Sequence, residues 1–214
     1  MLNFAKTKIG GGVPREFWFP TPVYFFDHPD PAGMNAALLS AVLARRKAAP
    51  EGMTRSNKLG WHSKADLHSD PEFTDFFRWI STRVAEVYAE ESYDPGYPPE
   101  CAEMWANVSP PMAHNRWHVH PGALWSGCYY VQTPPDCGKI FFTDPRPQAQ
   151  VLLPFQQELQ PAQWREVHYD PRPGRVVLFP AWLGHEVETN CTRKKGNAGL
   201  RVSIAFNFRQ AVPP

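Results

Sequence analysis

Three of the chain's eight histidines are clustered in the segment His114-Asn-Arg-Trp-His118-Val-His120. In an extended chain residues i and i+2 share a face, so His118 and His120 point the same way, roughly 7 Å apart along the backbone. Two imidazoles so placed can meet on one ion, since a metal–nitrogen bond is about 2 Å long. The pair fits equally well two surface histidines on a polar loop. A later segment adds weight to the metal. Gly174-Arg-Val-Val-Leu-Phe179-Pro180 reads as a turn, an apolar strand and a break, and after Trp182-Leu183-Gly184 comes His185, opening a new strand. A rolled-up β-barrel brings such a strand back beside an HxH, and a metal held from one side keeps open positions opposite. Further on, Leu200–Phe208 alternates: Arg201, Ser203, Ala205 and Asn207 take one face, and Val202, Ile204, Phe206 and Phe208 the other. The apolar set suits packing between layers. The Arg–Ser face suits an anion, because a guanidinium beside a hydroxyl can hold a carboxylate. An Arg paired with a nearby Asp or Glu is the plain alternative.

These residues need a scaffold of strands. After Pro95 the sequence reads as short strands at Glu103–Val108, Leu124–Gln132, Lys139–Thr143, Gln163–Tyr169, Arg175–Phe179, His185–Glu188 and Leu200–Phe208. Turn residues such as Pro134-Pro135-Asp136 and Pro173-Gly174 separate them, which is the pattern of a β-sandwich or jelly roll. Before Pro95 lie a short strand at Thr21–Phe26 and two helices, over about 32–49 and 71–91. Pro50 and Gly52 stop the first. Asp70 caps the second, with Pro71 at its first position. Their apolar stripes, Met34, Leu38, Leu39, Val42 and Leu43, then Phe73, Phe76, Phe77, Ile80, Val84 and Val87, read as core faces that buttress the barrel from outside. His62 and His68, between the helices, read as surface residues. Gly10-Gly11-Gly12 reads as a flexible stretch.

Composition narrows the class. Length (214 residues) fits a single domain, 1–214, with a strand and helical buttress over 1–95 and a β-core over 96–209. Proline is 24 of 214, which favours many turns and short elements over long helices. The net charge of +1 gives no global pull toward nucleic acid or anionic lipid, and no apolar run approaches the roughly 20 residues of a membrane span. The N-terminal stretch has no apolar run of the signal-peptide kind. The four cysteines form no CxxC pair, and the reading is a reduced, cytoplasmic protein with inert thiols. A homodimer stays open. Trp117, Trp125 and Trp182 flank the histidines and could line a substrate pocket, with buried packing as their default role.

The order of motifs resembles the iron(II)- and 2-oxoglutarate-dependent oxygenase superfamily, and most closely a bacterial and phage branch of it. The residues that carry this are Trp105-Ala-Asn107, His118-Val-His120-Pro-Gly122, Ser126-Gly-Cys-Tyr-Tyr130, Phe142-Thr-Asp-Pro-Arg146, Gly174–Pro180, His185-Glu-Val and Arg201-Val-Ser-Ile-Ala-Phe-Asn207. They cover roughly 100–209, with weaker likeness at Phe19–Val23 and Gly60–Ser63. The resemblance implies a double-stranded β-helix, a cupin-like jelly roll, that hydroxylates a substrate the sequence does not name. It implies Fe(II) as metal and 2-oxoglutarate as small-molecule co-substrate. His118 becomes the first ligand and His185 the distal one. Arg201, assisted by Ser203, takes the distal carboxylate of 2-oxoglutarate, with Tyr130 as a second donor and Asn107 on the pocket wall. The sequence departs from the pattern at position 120, where relatives carry Asp or Glu and this chain has His. Asp144, in the next strand-and-turn segment, could restore a carboxylate, although it reads as the turn ending a strand. Two other readings remain: a cupin-like three-His metal enzyme that does not use 2-oxoglutarate, and a non-catalytic jelly-roll binding module.

Overall fold

A computed structural model describes residues 18–212 except Leu153; Gly10–Gly12 lie outside the described residues. The chain opens with β1 (Tyr24–Asp27) and α1 (Pro31–Ala48), followed by two short strands, β2 (Asn57–Lys58) and β3 (Trp61–His62). Then come α2 (Thr74–Glu90) and eight strands: β4 (Pro99–Ser109), β5 (His114–His118), β6 (Trp125–Gln132), β7 (Ile140–Thr143), β8 (Glu166–Tyr169), β9 (Arg175–Pro180), β10 (His185–Val187) and β11 (Arg201–Gln210). They form two antiparallel sheets, one in the order β1-β9-β6-β11-β4-β3 and the other β2-β5-β10-β7-β8. This is a jelly roll.

Local chemistry sets the helix ends. Asp30 caps α1 by accepting from the Gly33 N–H, Pro31 follows it, and Arg45, Arg46 and Lys47 lie in the last turn against the helix dipole. Asp70 accepts from the Glu72 N–H and opens a 3-10 turn, Pro71–Phe73, that leads into α2. Arg45 reaches across to Asp66 and Asp70, tying the end of α1 to the entry of α2.

The six-stranded sheet has two unlike faces. On β11, Val202, Ile204, Phe206 and Phe208 join Leu38, Val42, Phe76, Ile80 and Val84 of the helices in one core. The Phe76 and Tyr129 rings lie 4.9 Å apart in it. Gly127 is needed here, because a Cβ on it would come within 2.5 Å of the Phe206 ring. The alternate residues Arg201, Ser203 and Ala205 face inward, toward the five-stranded sheet. The segment from Met53 to Ala65 closes one side of the roll. Its β2 is the edge of the five-stranded sheet and its β3 the edge of the six-stranded one.

His62 corrects the sequence reading. It is buried, not on the surface, because β3 pairs with β4 and sets His62 opposite Asn107. Two residues are too few to show a period in the sequence.

Candidate active site

Strand register brings the histidines together. His185, the first residue of β10, sits directly opposite His118, the last of β5. Such cross-strand neighbours have Cβ atoms about 5 Å apart. His120 lies just past β5, and its N–H donates to the Ala181 carbonyl, which pins this loop to the one that precedes His185. Side-chain nitrogens of His118, His120 and His185 all lie within 4.8 Å of one another, the one such group of three among the described residues. Their rings are in contact, with the His118 and His185 centroids 4.3 Å apart.

Hydrogen bonds fix which nitrogens face inward. His118 Nδ1 donates to the Arg116 carbonyl and His185 Nδ1 to the Leu183 carbonyl. That leaves each Nε2 as the ring's acceptor: His185 Nε2 faces His120, and His118 Nε2 has Ser56 Oγ 3.4 Å away. Burial pulls all three pKa values down: His118 below the usual range, His120 to about 4 and His185 to about 3, the last two helped by their imidazole neighbours. All three are therefore neutral at pH 7, the state that binds metal. Nε2 of His120 and of His185 lie 3.3 Å apart. Two nitrogens bound at about 2.1 Å and a right angle to one ion would be about 3 Å apart, so the donor set fits a metal. Asp144 is no part of it. Both of its carboxylate oxygens are held by Arg146, which keeps its pKa low.

The histidines open into a cavity of about 490 Å³ that also receives Arg201, Ser203, Tyr130 and Asn107. Arg201 is 3% exposed. Its guanidinium donates to the backbone carbonyls of Cys137, Gly138 and Glu188 and makes no ion pair with a carboxylate among the described residues. A buried cation without a counter-charge calls for an anion. The Tyr130 hydroxyl beside it is buried without a hydrogen-bond partner, as is Asn107 Oδ1. Burial holds the Tyr130 hydroxyl protonated, so it remains a donor. The Arg201 guanidinium and the Tyr130 hydroxyl are donors that a bound carboxylate would satisfy, whereas Asn107 Oδ1 is an acceptor and needs a donor.

Sequence reasoning missed three parts of the cavity. Cys128 lines it between Tyr130 and Ser203, and burial pushes its thiol up to about 11. The period of two that joins Cys128 to Tyr130 was the signal for it. His62 and the cationic segment around Arg55 and Lys58 also line the cavity, and short-range periodicity carries no sign of them. Trp125 is buried core as expected, whereas Trp117 and Trp182 are half exposed, and Trp117 lines the cavity.

A jelly roll with three neutral histidines and a buried arginine in one cavity defines a class of metal-dependent enzyme folds. Residues 103–207, just under half of the chain, match the family described as "Putative 2OG-Fe(II) oxygenase". No curated protein sequence matches this one. Among solved structures, the chain is similar to a Pseudomonas putida prolyl-4-hydroxylase, at 18% identity over 88% of this chain and 92% of that one, with a TM-score of 0.59. It is similar to the carbocyclase SnoK of nogalamycin biosynthesis, described as non-heme and alpha-ketoglutarate-dependent, at 13% identity over 89% and 80%, with a TM-score of 0.60. It is also similar to HygX from Streptomyces hygroscopicus, solved with nickel, 2-oxoglutarate and hygromycin B, at 13% identity over 88% and 83%, with a TM-score of 0.57. At these identities the likenesses speak for the fold. The family match and the fold together point to an Fe(II)/2-oxoglutarate-dependent oxygenase.

Proposed function

We propose that the chain is a non-haem iron(II) dioxygenase that uses 2-oxoglutarate as co-substrate and hydroxylates a further substrate. His118, His120 and His185 hold the iron. The observation that carries the reading is the buried Arg201 guanidinium, without an ion-pair partner among the described residues, in the same cavity as the three histidines. Iron and 2-oxoglutarate, when bound, supply the oxidation: decarboxylation to succinate and carbon dioxide, with one atom of O2 going into a C–H bond of the substrate.

The chain's own residues bind, orient and exclude water. Arg201 and Ser203 take the distal carboxylate of 2-oxoglutarate, and the Tyr130 hydroxyl donates a second hydrogen bond to it. Asn107 forms the wall beside them. Three neutral imidazoles leave the metal's charge uncompensated by protein, and a dianionic co-substrate restores the balance. The carbonyl bonds to His118 Nδ1 and His185 Nδ1 hold the rings in the metal-binding tautomer. Residues of both 1–95 and 96–209 line the cavity, which supports a single domain.

A cupin-like three-His enzyme without 2-oxoglutarate is favoured by the His at position 120, but leaves Arg201 without a purpose. Succinate release from 2-oxoglutarate, dependent on Fe(II) and ascorbate, tests the reading. Turnover that needs both supports it; a protein that binds iron but neither binds nor consumes 2-oxoglutarate refutes it.

A further inference from the structure

The cavity has a second set of cations that the co-substrate does not use. Arg55, Lys58 and Arg116 line it together with Trp117, whose indole is 56% exposed. Arg55 and Lys58 come from the segment that closes the side of the roll, and Arg116 from β5 next to it, since β2 pairs with β5 there. None of the three makes an ion pair among the described residues. Glu103, the one carboxylate in the lining, accepts a hydrogen bond from Asn207 instead. The outer lining therefore has three cations against one carboxylate, and a concave site with an excess of one sign concentrates ions of the other.

A second, independent feature lies on the same side. His62 is 7% exposed, lines the cavity and stacks on Trp105, with centroids 5.4 Å apart and planes 9° apart. Trp105 in turn lies 5.8 Å from the His120 ring, so His62 is one aromatic layer removed from the metal group. Its Nδ1 donates to the Ser63 carbonyl at 2.6 Å, which makes Nε2 an acceptor, and no side chain or backbone group among the described residues donates to it. The ring thus offers an acceptor to the cavity, open to a donor group of a bound molecule. Burial also lowers the pKa of this imidazole, which keeps the acceptor available.

We propose that His62, Trp105, Arg55, Lys58 and Arg116 form the subsite for the primary substrate, and that this substrate is a small organic anion, a carboxylate or phosphate ester, that donates a hydrogen bond to His62 Nε2. The inference rests on the dioxygenase reading and adds the substrate class. It divides the cavity: Arg201 holds the co-substrate's carboxylate under the six-stranded sheet, and the outer cations hold the anion of the molecule to be oxidised. His62 is a positioning residue, since its acceptor fixes the substrate's orientation above the metal group.

The test uses the full chain loaded with Ni(II) and 2-oxoglutarate, so that no turnover occurs. 2-Oxoglutarate affinity is measured first, by calorimetry. A library of matched pairs follows, each carboxylic acid with its amide and each phosphate ester with its alcohol, read by thermal denaturation. Stabilising compounds should be anions, and the acid and ester arms show which of the two the site takes. Affinity for the best anion should fall at least tenfold in Arg55→Gln/Arg116→Gln and again in His62→Phe, which keeps the stacking ring and removes the acceptor. Both variants should bind 2-oxoglutarate within twofold of the wild type, which also shows that they fold. Stabilisers that are neutral or cationic, no anionic stabiliser at all, or an affinity unchanged in the variants would overturn the proposal. If 2-oxoglutarate itself does not bind the Ni(II) protein, the dioxygenase reading fails instead. The same library read on the Ni(II) form alone then still decides the anion subsite.

Discussion

The two faces of the six-stranded sheet are built by the same strands and packed to opposite ends. Toward α1 and α2 the sheet contributes to a core of 24 buried apolar residues among those described. Toward the five-stranded sheet the apolar cluster has six, and much of the remaining space is the cavity of about 490 Å³. Along β11 the contrast changes with every residue: Val202, Ile204 and Phe206 on one side, Arg201, Ser203 and Ala205 on the other. The helix face can therefore specify the fold without the site. The inner face carries an unpaired cation and orphaned polar groups, a local cost that the packed side can sustain.

This division predicts that substitutions on the two faces have separable effects. The largest effect should come from the packed side. Phe206→Ala removes a fully buried ring and should cost about 3–5 kcal/mol of stability in chemical denaturation, with metal affinity of the folded protein unchanged. A loss under about 1 kcal/mol would mean that the helix face is loosely packed.

Arg201→Met should do the reverse. Stability should change by less than in Phe206→Ala, since the relief of a buried charge offsets the loss of the donor to the Cys137, Gly138 and Glu188 carbonyls. Affinity for 2-oxoglutarate should fall about a hundredfold, or about 2.7 kcal/mol, by calorimetry on metal-loaded protein, with metal binding kept. An unaltered 2-oxoglutarate affinity would remove Arg201 from the anion site.

Tyr130→Phe should be milder. Removing an unpartnered buried hydroxyl should leave the protein without 2-oxoglutarate as stable as before or about 1 kcal/mol more so, and weaken 2-oxoglutarate several-fold. A clear loss of stability without ligand would show that the hydroxyl has a partner after all. The smallest effect is expected at Asp144→Asn, which breaks a pair with the exposed Arg146 worth about 0–1 kcal/mol and should leave iron content intact. Iron loss in that variant would bring Asp144 into the metal site.

How much of this was legible in the sequence follows the same division. The alternation of β11 is local, so both of its faces could be read directly, and the apolar stripes of the two helices likewise. The HxH spacing was local too. That His185 lies opposite His118 depends on the register between β5 and β10, which no local pattern encodes. His62 escaped for a related reason: a two-residue strand has no period, and its burial comes from pairing with β4. Trp117 and Trp182 defied the usual preference of tryptophan for the core: Trp117 lines the cavity from β5, and Trp182 lies in the loop between β9 and β10. Trp117 fits there because Gly184 has no Cβ, which would fall 2.3 Å from the indole.

The central claim is that three histidines, not two histidines and a carboxylate, hold iron in a cavity that also takes 2-oxoglutarate. Its most direct test is an anaerobic Fe(II) titration of the wild type and His120→Ala, with and without 2-oxoglutarate, followed by bound iron and the weak visible charge-transfer band. The wild type should bind iron and develop the band only when 2-oxoglutarate is added, and His120→Ala should lose the iron as fully as His118→Ala and His185→Ala do. A His120→Ala protein with full iron content, or a wild type that shows no band on adding 2-oxoglutarate, would contradict the account.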